Sequence, residues 1–126
     1  MRRIWMIPAL LVPTVLAAPA AAQDWALRAT DERFDAPTLE AAVTGRTLTF
    51  YDDGQSRFSA GGAYSYTYSV DNGGGSQFGT WSTAAEGIIC ITYRNGMSRC
   101  DMYVRADGRL VVLTEEGGRF PVRPSG

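Results

Sequence analysis

The sequence predicts an all-β domain: a small antiparallel meander of eight strands that closes into a small barrel, preceded by one short helix. Three observations carry this. From Arg46 onward the apolar pattern changes from a helical period to a period of two. Turn pairs then recur at short intervals, at Asp53-Gly54, Asn72-Gly73, Asn95-Gly96, Asp107-Gly108 and Gly117-Gly118, each tolerant of the positive φ that tight hairpins demand. The connections are too short for crossovers, so successive strands are antiparallel neighbours.

Taken in order, residues 25–34 read as a polar, irregular lead-in. Residues 35–43 read as the helix. Asp35 can cap it, Pro37 falls in the first turn, where a missing N–H costs little, and Gly45 can end it in a left-handed conformation. Leu39 and Val43 lie four apart, on one face, ready to dock on an apolar surface. Strands are predicted over 46–51, 55–59, 63–70, 76–82, 88–94, 97–105, 109–114 and 118–122. In the third, Tyr64, Tyr66, Tyr68 and Val70 alternate with Ser65, Thr67 and Ser69, an aromatic face against a hydroxyl face. Closing eight such strands into a barrel removes the exposed edges. An open or sandwiched sheet is the alternative.

The Asn95-Gly96 turn and the two cysteines specify one register between them. A two-residue loop would place Cys90 opposite Asp101. A three-residue loop over 94–96, with Gly96 left-handed as a bulge, pairs Tyr93 with Met97. Counting back, Ile91 then meets Arg99 and Cys90 meets Cys100. That pair is non-hydrogen-bonded, with Cα atoms about 4.5 Å apart, within reach of a disulfide. The same register sorts the faces. Ile88, Cys90, Cys100, Met102 and Val104 share one side and read as core. Arg99, Asp101, Tyr103 and Arg105 share the other with Ile89, Ile91, Tyr93 and Met97. The apolar part of that mixed face must be covered, by the helix, by Trp25 or by a partner. In the last case Ile89, Ile91, Tyr93 and Met97 form a candidate interaction patch.

The N-terminus reads as a cleavable export signal. Met1-Arg2-Arg3 is basic, residues 4–18 are almost wholly apolar, and Ala20-Ala21-Ala22 fits signal-peptidase cleavage before Gln23. Pro8 and Pro13 interrupt the apolar run, unlike a membrane span. The expected organisation is a signal peptide over 1–22, a lead-in and helix over 23–45, and a barrel over 46–126, with no membrane anchor after cleavage. The Ala-Gln-Asp ending resembles signals of Gram-negative bacteria, which makes the periplasm the expected address.

Composition narrows the function. The 12 basic residues are all arginine, against 13 acidic residues in a chain of 126. Loss of Arg2 and Arg3 with the signal leaves a mildly acidic domain with charges scattered along the sequence, unlike a nucleic-acid binder. There is no histidine, which excludes the usual triads and most zinc or copper sites. Cys90 and Cys100 are the only cysteines, and in an exported chain such a pair is expected as a disulfide. The glycine runs at 61–62 and 73–75 precede β-type sequence, not the helix that a phosphate loop requires. Asp52-Asp53 and Glu115-Glu116 border glycines and read as turns. The serines lack a neighbouring base. Tyr64, Tyr66, Tyr68 and Trp81, with Phe58 and Phe78, form either an aromatic core or the lining of a cavity for one small ligand.

The runs Gly79-Thr80-Trp81, then Gly87 to Cys90, then Arg99-Cys100 resemble a pattern in small exported alphaproteobacterial β-barrel proteins: G-x-W, G-x-x-C and a cysteine on the next strand. The opening Val43-Thr44-Gly45-Arg46-Thr47-Leu48 is similar to theirs as well. Some members of that uncharacterised group carry the name dihydrodipicolinate reductase, for which this chain has no dinucleotide fingerprint. The layout is also similar to lipocalin-like barrels that inhibit secreted proteases and lysozymes. The lysozyme-inhibitor element S-G-x-x-Y is approached by residues 59–64, which carry one residue more.

These readings lead to one expected function and its rivals. The first is a non-enzymatic periplasmic binding or interaction module with no cofactor and an open choice of partner, a periplasmic protein or a small apolar ligand. The others are a carrier of one small apolar ligand, a secreted hydrolase inhibitor, and an enzyme working through carboxylates and tyrosines alone.

Overall fold

The structure, a computed structural model, describes residues 25–125. The signal assigned to residues 1–22 lies outside them. Among the described residues no helix is long and apolar enough to cross a membrane.

The helix α1 spans Ala36–Val43. The Asp35 carboxylate accepts the Thr38 N–H at 2.9 Å and caps it, satisfying a donor that the first turn leaves open. Gly45 leaves the helix at φ 75°, and its N–H donates to the Phe58 carbonyl at 2.7 Å. That bond aims the chain straight into the sheet. Leu39 and Val43 are fully buried and pack with Leu48, Phe58, Ile89 and Ile91.

The strands are β1 Glu32–Arg33, β2 Arg46–Thr49, β3 Gln55–Phe58, β4 Ala63–Thr67, β5 Ser76–Ala84, β6 Ile88–Tyr93, β7 Ser98–Ala106, β8 Arg109–Leu113 and β9 Arg119–Pro121. From β2 to β9 each pairs antiparallel with the next, in chain order. The sheet curls until its ends touch: Phe50 bridges Val122, and the Arg123 N–H donates to the Thr49 carbonyl at 2.7 Å. The result is the expected eight-strand meander in a barrel-like curl.

Two elements depart from the sequence reading. Residues 25–34 hold a strand that it missed. β6 begins opposite Met102, so β7 runs past it with an unpaired edge. Glu32 and Arg33 fill that edge, opposite Arg105 and Val104. Two polar residues carry no readable period, so only the vacant edge explains them. The third strand stops at Thr67 instead of residue 70. Val70–Asn72 form a turn of 3-10 helix, and Gly73, Gly74 and Gly75 all take positive φ, which reverses the chain earlier than the alternation implies.

The hairpin between β6 and β7 has the expected register. The Tyr93 N–H donates to the Met97 carbonyl at 2.8 Å, Gly96 has φ 86°, and Cys90 lies opposite Cys100. The two are joined by a disulfide across Cα atoms 4.1 Å apart. On its other side the Cys100 N–H donates to Glu115 Oε1 at 2.7 Å. β8 has already ended at Leu113, so a carboxylate stands where a strand carbonyl would.

The assignment of faces is corrected. The mixed face is the barrel interior: Ile89, Ile91, Asp101 and Tyr103 are all buried. The side read as core points outward. Met102 and Val104 on it are still buried, because the lead-in crosses the outer surface and forms a second cluster there with Val111, Leu113 and Trp25. Both faces of β7 are therefore covered, and alternation alone gives no sign of which one curls inward.

A buried ion pair ties down that lead-in. Arg119 donates to both Asp31 oxygens, at 2.6 and 3.0 Å, and to the Ala26 carbonyl at 2.8 Å. The Asp31 side chain is 1% exposed. The Arg119 hydrogen bonds hold the Asp31 carboxyl below its ordinary value of 3.8. A lowered folded-state value stabilises the fold above the unfolded-state value, and that stability is lost as pH falls through the folded one. The protein is therefore expected to exceed Asp31→Asn in stability at neutral pH, with the gap closing below pH 3.8. Urea unfolding across that range measures it; a gap independent of pH contradicts the account.

Candidate functional site

The antiparallel order divides the barrel into two ends. α1 precedes β2 and fills one end with Leu39 and Val43. The turns after β2, β4, β6 and β8 gather at the other end, where the interior opens as a cup of about 340 Å³. Its walls are aromatic: Phe50, Tyr66, Tyr68, Tyr93, Tyr103 and Phe120. Asp52, Ser56, Arg99 and Asp101 supply polar groups.

Arg99 and Asp101 stand two apart on β7, so the pleat directs both inward. The guanidinium meets the carboxylate as a two-point fork, Nε to Oδ2 at 2.8 Å and Nη2 to Oδ1 at 2.9 Å. Nη2 also reaches Glu116 Oε2 at 3.4 Å. Asp101 is 5% exposed, whereas the Arg99 side chain is 34% exposed and faces the cup. Hydrogen bonding to Asp101 holds the Arg99 guanidinium more firmly protonated than usual.

Burial raises the phenols of Tyr64, Tyr66, Tyr93 and Tyr103 above their ordinary range, Tyr103 most strongly. At neutral pH these hydroxyls are protonated. They can donate and accept hydrogen bonds but offer no nucleophilic phenolate. Below the cup the Tyr64 hydroxyl is 2.9 Å from that of Ser56, and both residues are buried. The rim is shaped by the turn after β2. Asp52 Oδ1 accepts the Gly54 N–H at 2.8 Å, and Asp53 takes φ 69°. A Cβ on Gly54 would strike the Tyr66 hydroxyl, so glycine there lets the ring lie against the backbone.

The four expected cavity residues separate by depth. Tyr66 and Tyr68 line the cup, their rings edge to face at 4.9 Å. Tyr64 lies beneath it. Trp81 belongs to the filled end, its ring 5.3 Å from that of Phe58 and its N–H donating to the Ser59 carbonyl at 2.9 Å. Phe58 is core and Phe78 is exposed. The interior is thus filled at one end and hollow at the other, and the hollow is polar as well as aromatic.

The expected interaction patch is not one surface. Ile89 and Ile91 are 1% and 2% exposed, since the curl turns them inward beneath α1 and Phe58. Tyr93 faces the cup, and Met97 stands exposed at the hairpin tip. Sequence reasoning missed Arg99, Asp101, Tyr103, Phe50 and Phe120 as site residues. The register already placed the first three on the face of Tyr93; the direction of curl was the missing fact. Comparison with family models, curated proteins and solved structures finds no match.

Proposed function

We propose that the protein is a non-enzymatic, exported binding module of the Gram-negative periplasm, and that its open end takes one small amphipathic molecule. The single observation that carries this is the cup itself: an aromatic-walled hollow in a barrel otherwise filled, with a guanidinium presented at its side. Its volume lies at the small end of the range of about 300–1,000 Å³ for ligand sites. The chemistry present favours holding over transforming. Both Asp101 oxygens are engaged by Arg99, Asp52 is engaged in its turn, and the buried phenols are neutral. The disulfide fits an oxidising compartment.

The ligand is expected to be flat or compact, with an apolar body against Tyr66, Tyr93 and Phe120 and one acceptor facing Arg99. Naphthol, a neutral fluorescent aromatic alcohol, is a suitable probe. Its fluorescence should change saturably at one molecule per chain. Tyr93→Ala should weaken binding tenfold or more, equivalent to about 1.4 kcal/mol. No saturable change, or equal binding by the variant, contradicts the reading.

A second reading, a protein partner such as a hydrolase seated over the mouth, is favoured by Val70 and Met97. Both stand on loops at the open end and are 91% and 68% exposed. Retained naphthol binding with Val70→Ser and Met97→Ser would separate the two readings.

A further inference from the structure

Four of the arginines scattered through the sequence meet in space. Arg46, Arg105, Arg109 and Arg123 line one concavity of about 260 Å³. It lies beside α1, where β2 approaches the chain end and the hairpin between β7 and β8. Its floor includes the buried Leu48 and Val122. Against a chain with 13 acidic and 12 basic residues, this is a strong local excess of one sign.

Among the described residues only one of the four guanidinium groups has a carboxylate partner: Arg123 pairs with Asp53 at 3.0 Å. The others are held by neutral groups. Arg46 donates to the Ala42 carbonyl at 3.2 Å and the Ser125 hydroxyl at 3.0 Å. Arg109 donates to the Tyr51 hydroxyl at 2.8 Å. Arg105 lies over the Phe34 ring at 5.3 Å. These contacts position the cations without neutralising them. Three arginines on the wall of one hollow thus carry charge that no carboxylate among the described residues offsets. Guanidinium groups match the planar and tetrahedral oxyanions that can accept two N–H bonds at once.

We propose that this concavity is a second binding site, for a multiply charged oxyanion of the phosphate class. It is independent of the aromatic cup. The phosphate can belong to a soluble molecule or to a lipid headgroup, and the two sources are separable. Calorimetric titration of the purified protein with pyrophosphate at low ionic strength should show one site, weakened by added salt. Arg105→Gln with Arg109→Gln should weaken it tenfold or more, while naphthol binding in the cup is unchanged. In parallel, flotation with vesicles of phosphatidylcholine containing phosphatidylglycerol is compared with phosphatidylcholine alone. Pyrophosphate binding without vesicle binding assigns a soluble phosphate compound. Binding only to the anionic vesicles, lost in the double variant, assigns a headgroup. If the double variant fails to fold, the arginine Nε–H signals of the wild-type protein decide: those of Arg105 and Arg109 should shift with pyrophosphate. Absence of both kinds of binding, or binding that leaves these signals and the double variant unaffected, overturns the proposal.

Discussion

Phe58→Ala is expected to lower the unfolding free energy by about 3–5 kcal/mol, the range for deleting a buried aromatic ring. Phe58 is fully buried. Its ring centroid lies 5.2 Å from Tyr64, 5.3 Å from Trp81 and 6.2 Å from Tyr103. These neighbours stand on three different strands, and two of them are anchored elsewhere: Trp81 by Ser59, Tyr64 by Ser56. They cannot all move inward to fill the space, so the cavity term stays large. A domain of this size has roughly 5–15 kcal/mol in total, so the variant is close to unfolding. Phe58→Leu keeps more of the volume and should cost distinctly less. Urea unfolding of both variants measures this. A loss below about 1.5 kcal/mol for Phe58→Ala would mean that the filled end of the barrel is not packed around this ring.

Arg99→Met is expected to destabilise the fold by about 3 kcal/mol, because it strands the Asp101 carboxylate inside the barrel. That value is at the low end for a broken buried pair, since Arg99 is one-third exposed and water already screens part of the attraction. Changing both partners, Arg99→Met with Asp101→Leu, removes the desolvated charges together. Such replacements are often neutral or stabilising, so the double variant should return to within about 1 kcal/mol of the wild type. It should nevertheless bind naphthol tenfold more weakly or worse. Stability is then recovered in the double variant while binding is not, which identifies the pair as a group kept for recognition. A double variant as unstable as Arg99→Met, or one that binds as the wild type does, contradicts this.

Local chemistry made much of this molecule legible before its structure. Asp35, Pro37 and Gly45 mark the helix because caps and helix breakers act through the nearest backbone groups. The bulge at Gly96 and the cysteine pair determine the register of β6 and β7, since a single register satisfies both. What stayed hidden depends on contacts distant in sequence. Alternation showed that Asp101, Tyr103 and Ile91 share a face, but the curl of the whole sheet decides that this face is the interior. β1 forms because β7 outlasts β6, which two polar residues cannot announce. The arginine cluster joins residues from both ends of the barrel domain, Arg46 and Arg123 among them, and no window along the chain contains it. Glycine carried more than its turns suggested: a Cβ on Gly79 would land on the Thr92 carbonyl oxygen, so the first residue of the G-x-W run permits a close strand approach.

The central claim, that the open end of the barrel holds a small molecule, is tested most directly by native mass spectrometry of the protein purified from its host without denaturation. The account predicts a species heavier than the oxidised chain by one small ligand, with the extra mass absent from the Arg99→Met, Asp101→Leu variant. A bare wild-type chain that also fails to take up one naphthol would contradict it.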